Sequence, residues 1–176
     1  ILNQQYILEY AYEQLNHCNE ELCGDVVGIH ETNDFIVFVL ADGLGSGIRA
    51  NILANLMVQI ALRLTTGGLS IQQVVEMVGE TLPVCPIRNI AYSTFTIIQL
   101  FQSGFVRIYE FDNPEYLHYS GKKLEEHIKK EVRIGTFKIL YSEFRMKPHD
   151  MLMVFSDGVT HCGMGKTLAF GWERDQ

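Results

Sequence analysis

Two Asp-Gly pairs, each at the end of an apolar run, are the residues of this chain best placed for chemistry. Phe35 to Ala41 leads into Asp42-Gly43-Leu44-Gly45-Ser46-Gly47, and Met151 to Phe155 leads into Ser156-Asp157-Gly158. Upstream of both, Gly24-Asp25-Val26-Val27-Gly28 carries a third acid. Carboxylates held at strand ends suit a hard divalent cation, and adjacent glycines let backbone approach closely. An isolated Asp-Gly is an ordinary turn. Three acids from distant parts of a chain point instead to a shared metal centre, provided the strands carrying Asp42 and Asp157 are neighbours. Like charges gathered there are unfavourable, and a bound cation removes that repulsion.

Rival chemistries fail on their own requirements. Gly45-x-Gly47-x-x-Ala50 matches a dinucleotide fingerprint between a strand and a helix. However, Asp42 would then face the pyrophosphate, and Ile60 to Ser70 offers no acid for a ribose hydroxyl. Gly163-Met164-Gly165-Lys166-Thr167 looks like the tail of an ATP-binding loop, but Thr160 occupies the position where that loop requires glycine. The histidines (His17, His30, His118, His127, His149 and His161) show no metal-protease pairing, and only His161, four residues after Asp157, is placed near the acids. Ser46, Ser156 and Thr160 lack a recognisable base and acid partner, which argues against nucleophilic serine chemistry.

Bulk properties narrow the class further. A formal net charge of -7 across 176 residues, with no long basic run, argues against a nucleic-acid binder. The unbroken apolar stretch from Phe35 to Ala41 is far too short to cross a bilayer, so no membrane segment is expected. Cys18, Cys23, Cys85 and Cys162 form no CxxC pair, which fits reduced thiols in a cytoplasmic protein. The chain opens on Ile1 without a signal-peptide pattern and reads as a fragment.

These acids must be positioned by regular elements, and the hydrophobic pattern supplies them. Residues 4–16 predict a helix with apolar positions Tyr6, Ile7, Tyr10 and Leu15. Phe35–Ala41 predicts a strand buried on both faces. A helix then follows from Ser46 or the glycines, with Ile48, Ile52, Leu56, Ile60 and Leu64 as its buried stripe, widened by Leu53 and Met57 and ended by Gly67-Gly68. Ser70 caps a second helix with Ile71, Val74, Val75 and Val78 on its apolar face, and Pro83 and Pro86 end it. Ser93–Phe101, Phe105–Phe111 and Tyr116–Ser120 predict successive strands whose short turns require antiparallel neighbours. Lys122–Glu131 admits a loop, a short helix or a solvated strand edge. The whole is an α+β single domain over residues 1–176.

Taken together, Gly24-Asp25, Ala41-Asp42-Gly43-Leu44-Gly45-Ser46-Gly47 and Phe155-Ser156-Asp157-Gly158 resemble the signature of metal-dependent serine/threonine protein phosphatases. This is the phosphatase 2C-like superfamily, in its bacterial sporulation stage II protein E branch. Tyr92-Ser93-Thr94-Phe95-Thr96 and Glu110-Phe111-Asp112-Asn113-Pro114 are similar to that branch as well, and the likeness runs from about residue 20 to residue 172. It implies a four-layer α/β/β/α sandwich with two antiparallel sheets inside. It also implies two Mn2+ or Mg2+ ions bridged by Asp42, with Asp25 and the Gly43 carbonyl completing one ion's protein ligands and Asp157 serving the other. The ions would activate a shared water for in-line attack on phosphoserine or phosphothreonine. Asp42 and Asp157 are thereby the expected catalytic positions.

The likeness has gaps. The family's final metal-binding Asp on a C-terminal strand has no counterpart before Gln176, so the domain is expected to be incomplete there. Leu44 stands where eukaryotic relatives carry a His proposed as general acid. No Arg precedes Gly24-Asp25 where those relatives bind phosphate, and residues are too few for a flap beside the site. The expected partner is a phosphoprotein, such as an anti-sigma-factor antagonist, and a homodimer is compatible with the branch. The helices after Asp42 would act in that branch as a switch. A catalytically weak regulatory or scaffold module is the alternative from another class, and a hydrolase of small phosphate esters is a third reading.

Overall fold

The computed structural model describes residues 7–16, 20–81, 93–134, 137–162, 164 and 172. In chain order the elements are β1 (Asp25–Glu31), β2 (Phe35–Gly43), α1 (Gly47–Thr66), α2 (Ile71–Thr81), β3 (Ser93–Phe101) and β4 (Phe105–Phe111). They continue with β5 (Leu117–Ser120), β6 (Lys123–Glu125), β7 (Lys130–Ile134), β8 (Phe137–Arg145), β9 (Asp150–Met153) and α3 (Asp157–Thr160). One antiparallel sheet of six strands runs β1-β2-β3-β4-β8-β7, and a second of three runs β6-β5-β9. The α+β class with two antiparallel sheets is therefore as expected. Pro83, Pro86, Tyr92, Cys18, Cys85, His17 and residues 165–167 lie outside the described residues.

The core lies in two layers, one on each face of the large sheet. On one face, Val37, Val39, Ala41, Phe95 and Ile97 pack against Met57, Val58, Val74, Val75 and Val78 of the two helices. On the other, Ile98, Val106, Ile108 and Phe144 pack with Tyr116 and with Leu152 of the small sheet. This double covering explains the continuous apolar run of β2, whose side chains meet a layer on either side. It also explains β8, which shows little sequence signal. Ile139 is buried toward the helices, whereas Ser142 and Phe144 are buried toward the small sheet, so the burial phase shifts along the strand. Among the described residues no helix covers the outer face of the small sheet, where Met151 and Met153 are half-exposed.

The two helices form where the pattern places them, and Ser70 caps α2 by a reciprocal arrangement. The Gln73 N–H donates to Ser70 Oγ at 3.3 Å, and the Ser70 N–H donates to Gln73 Oε1 at 3.0 Å. The buried face of α1 differs from the expected one. Ala50, Ala54, Met57, Val58 and Ala61 face the sheet, while Ile48, Ile52 and Leu56 are 62%, 59% and 41% exposed. The reason is close approach. Val58 sits over Gly28, and the Ala50 backbone lies on Gly43, so the helix comes close enough that its sheet-facing side is rich in alanine. The stripe of large aliphatic residues is left on the outside. Residues 7–16 also depart from expectation, having no regular structure. Ile7, Tyr10, Tyr12 and Leu15 are all more than half exposed, so no apolar stripe is buried to hold a helix there. Tyr10 instead meets Phe38 edge-on at 5.5 Å between ring centroids.

Lys122–Glu131 resolves into β6, a connection and the start of β7, and thereby crosses from one sheet to the other. His127 anchors that crossing. The carboxylate of Asp150 accepts from His118 Nε2 at 3.0 Å, and His118 Nδ1 lies 2.7 Å from His127 Nε2. With the ionised Asp150 able only to accept, His118 carries its proton on Nε2. Its Nδ1 then accepts from His127 Nε2–H, leaving His127 Nδ1 to take up any further proton. Burial, then the neighbouring His118, lowers the pKa of His127 from its ordinary 6.5, against an opposing effect of Glu125. Burial would raise Asp150, but hydrogen bonds from the Lys147 N–H, Ser120 and His118 outweigh it and hold the acid below its ordinary 3.8. The unfolded chain thus binds a proton at His127 that the folded chain resists. Its contribution to stability is present above pH 6.5 and is lost as pH falls below it. Relative to His127→Phe, the wild-type thermal midpoint should fall between about pH 7.5 and about pH 5.5, the variant removing this contribution while leaving the opposite one of Asp42 in place. Equal pH dependence in the two proteins would rule out the link.

Candidate metal centre

Asp25 and Asp42 are cross-strand partners on β1 and β2, which places their side chains side by side on the face turned toward the small sheet. Asp157 comes from the other sheet. Val154-Phe155-Ser156 carry the chain from the end of β9 to Asp157, which opens α3. The strands bearing Asp42 and Asp157 are therefore not neighbours. Their acids meet because the two sheets are stacked, a long-range arrangement that sequence spacing does not reveal.

Asp42 is the meeting point. Burial, the charges of Asp25 and Asp157, and hydrogen-bonding contact with both push its carboxyl from the ordinary 3.8 up to about 7. Three carboxylates in mutual repulsion form an oxygen-only donor set, which is what Mg2+ and Mn2+ prefer. Among the described residues no three His, Cys, Asp or Glu side chains already converge as a complete ligand set. The acids adjoin in pairs through Asp42. Gly43 holds the turn beside it, its N–H donating to the Gly24 carbonyl at 3.2 Å.

Two groups of supporting side chains surround the acids. Ser156, only 5% exposed, donates from Oγ to Asp25 Oδ2 at 2.6 Å. It has no place in nucleophilic chemistry, and its actual partner lies 131 residues away, beyond reach of any local motif. Thr94, opposite Asp42 on β3, donates to Asn113 Oδ1 at 2.5 Å, and Asn113 Nδ2 donates to Thr96 Oγ1 at 3.1 Å. The segments 93–96 and 110–114, separate in sequence, are thus joined beside the acids. His161 Nδ1 stands 3.5 Å from Asp157 Oδ2, and both side chains are more than half exposed. The Glu20 carboxylate lies against Gly47 at the first turn of α1, where the helix dipole favours an anion.

Two stacked antiparallel sheets with a helix pair on one side match the fold of phosphatase 2C domains. The family model for stage II sporulation protein E matches residues 32–174, and the chain belongs to that family. Three solved structures have the same fold. The phosphatase and partial regulatory domain of SpoIIE from Bacillus subtilis superposes with a TM-score of 0.68 at 18% identity, over 80% of this chain and 43% of that one. RsbX in complex with magnesium gives 0.63 at 16% identity, over 84% and 72% of the respective chains. The RsbU and RsbW domains of Rv1364c from Mycobacterium tuberculosis give 0.68 at 16% identity, over 87% and 44%. The chain thus spans less than half the length of the first and third of these. No curated protein matches it in sequence at a significant level. Among the described residues no helix is long and apolar enough to cross a membrane.

Proposed function

We propose that the chain is the catalytic part of a metal-dependent phosphatase acting on phosphoserine or phosphothreonine of a bacterial signalling protein. An anti-sigma-factor antagonist is the candidate substrate. The observation that carries the reading is the meeting of three acids from three distant segments at Asp42. Asp42, Asp25, the Gly43 carbonyl and Asp157 would be the groups that hold Mn2+ or Mg2+, with Asp42 central because it adjoins both other acids. When bound, the ions supply Lewis-acid stabilisation of charge on the phosphoryl group and an activated water.

The chain's own residues do the rest. Ser156 fixes the Asp25 carboxylate, so that only its other oxygen has to turn toward a cation. The clasp of Asn113 on Thr94 and Thr96 stiffens the strand pair facing Asp42. Leu44 brings no transferable proton to the leaving group. Asp157 is 57% exposed, and an open edge of this kind favours a phosphorylated side chain on a protein over an enclosed small ester. Phosphate release from a phosphoserine protein should require added Mn2+ or Mg2+ and stop on adding EDTA. Release that EDTA leaves undiminished would overturn the reading. A weak or regulatory module of the same fold is the alternative. Metal uptake without phosphate release would mark that alternative.

A further inference from the structure

We infer that a clamp of side-chain amides from two separate elements, Gln14 and Asn16 of the N-terminal segment and Asn51 of α1, positions Asp25 for cation binding. This rests on the reading of Asp25 as a cation ligand. The stretch from residue 20 to Gly24 forms no helix or strand of its own, and apart from Gly24, which accepts from the Gly43 N–H of β2, its carbonyls are not met by a ladder, yet it delivers Asp25 to the start of β1. Moreover, β1 is the outer strand of its sheet among the described residues, so one of its edges has no strand partner.

The amides take over that work. Gln14 Nε2 donates to the Asp25 carbonyl at 2.7 Å, Asn16 Nδ2 to the Glu21 carbonyl at 2.9 Å, and Asn51 Nδ2 to the Cys23 carbonyl at 2.7 Å. Asn55, one turn along α1, donates to Asn51 Oδ1 at 2.9 Å. That bond fixes which way the Asn51 amide faces, because its oxygen is already used as acceptor and its NH2 is left for Cys23. Cys23 Sγ approaches the Leu15 carbonyl at 3.5 Å and closes the contact between the two segments. The carbonyls of Glu21, Cys23 and Asp25 are thus pinned, two by the N-terminal segment and one by α1. The Asp25 main chain is held by the clamp and its side chain by Ser156. Local propensity does not impose this geometry, so it depends on amides contributed from elsewhere in the chain.

The clamp residues are positioning residues, since none is placed to touch the cation. Gln14→Ala, at an exposed site outside any regular element, and Asn51→Ala should each weaken Mn2+ binding by about tenfold or more, the scale on which outer-shell partners tune metal sites. Calorimetric titration of the full chain with Mn2+ reads this directly. At saturating Mn2+ kcat should recover to near the wild-type value, whereas a merely structural defect would lower the folded fraction and kcat without changing Kd. Asp42→Asn serves as the control. If the wild-type chain takes up no Mn2+, or Asp42→Asn binds like wild type, the reading of the acids as a metal centre fails. If wild type binds, Asp42→Asn does not, and Gln14→Ala keeps the wild-type Kd, the clamp alone is overturned. Should Asn51→Ala fail to fold, Gln14→Ala decides the matter by itself.

Discussion

Asp42→Asn is expected to abolish Mn2+-dependent release of phosphate from a phosphoserine protein, lowering kcat/KM by about a thousandfold or more. Asp42 is the acid that adjoins both Asp25 and Asp157, so its loss removes the group common to the two halves of the proposed centre. The neutral amide keeps the shape and discards the charge. It also brings an NH2 donor that repels a cation. The same substitution should stabilise the metal-free fold. A carboxyl raised from 3.8 to about 7 on folding binds more protons folded than unfolded. Its penalty is therefore absent below pH 3.8, grows as pH rises from there to 7, and is complete above 7. Asp42→Asn should accordingly show a higher thermal midpoint than wild type at about pH 8 without metal, a gain that shrinks toward about pH 4. Loss of activity in a protein that is more stable excludes misfolding as the cause. Wild-type turnover by this variant would remove Asp42 from the mechanism.

Gly43→Ala carries the largest expected effect on stability. A Cβ at this position would overlap the backbone carbonyl of Ala50, in the first turn of α1. Neither partner is a flexible side-chain tip, so relief requires the helix and the strand to part. The expected loss is about 3 kcal/mol, at the upper end for overpacking in a well-packed core. At Gly28 the added Cβ meets the side chains of Val58 and Leu62; Leu62 can turn aside, but Val58 is buried and held to one rotamer by its helix, and Gly28→Ala should lose about 2 kcal/mol. Urea unfolding measures both, with the midpoint falling and the slope unchanged. An unaltered midpoint in Gly43→Ala would contradict the close approach of α1 to β2. Because Gly43 follows Asp42, the separation would also carry the acid away from its neighbours, and Mn2+ affinity should fall together with stability.

Much of this was legible in the order of residues. The apolar run into Asp42, the box formed by Ser70 and Gln73, and the short turns from Ser93 to Ser120 specify elements through local forces alone. The candidate acids were legible for the same reason, since glycine beside aspartate at the end of an apolar run is a local pattern. Three features were not. The buried face of α1 was misassigned, because a stripe of large aliphatic residues counts for less than the space available above Gly28 and Gly43. The phase shift in β8 hid that strand, because its two ends answer to different layers. The N-terminal segment has apolar residues at helical spacing, but no partner surface rewards a helix there.

The sequence by itself determined which groups are available: three acids with flanking glycines, and the apolar runs that lead into two of them. Only the tertiary structure decided that they meet. Asp25 and Asp42 adjoin through strand pairing, and Asp157 reaches them through the stacking of two sheets. The supports of the centre belong to the same level. Ser156 on Asp25, Asn113 between Thr94 and Thr96, and the amides of Gln14, Asn16 and Asn51 are all bonds between segments far apart or lacking regular structure. Periodicity reports what each segment does with its own neighbours, whereas a charge cluster and its hydrogen-bonded supports depend on which segments the packed core brings together.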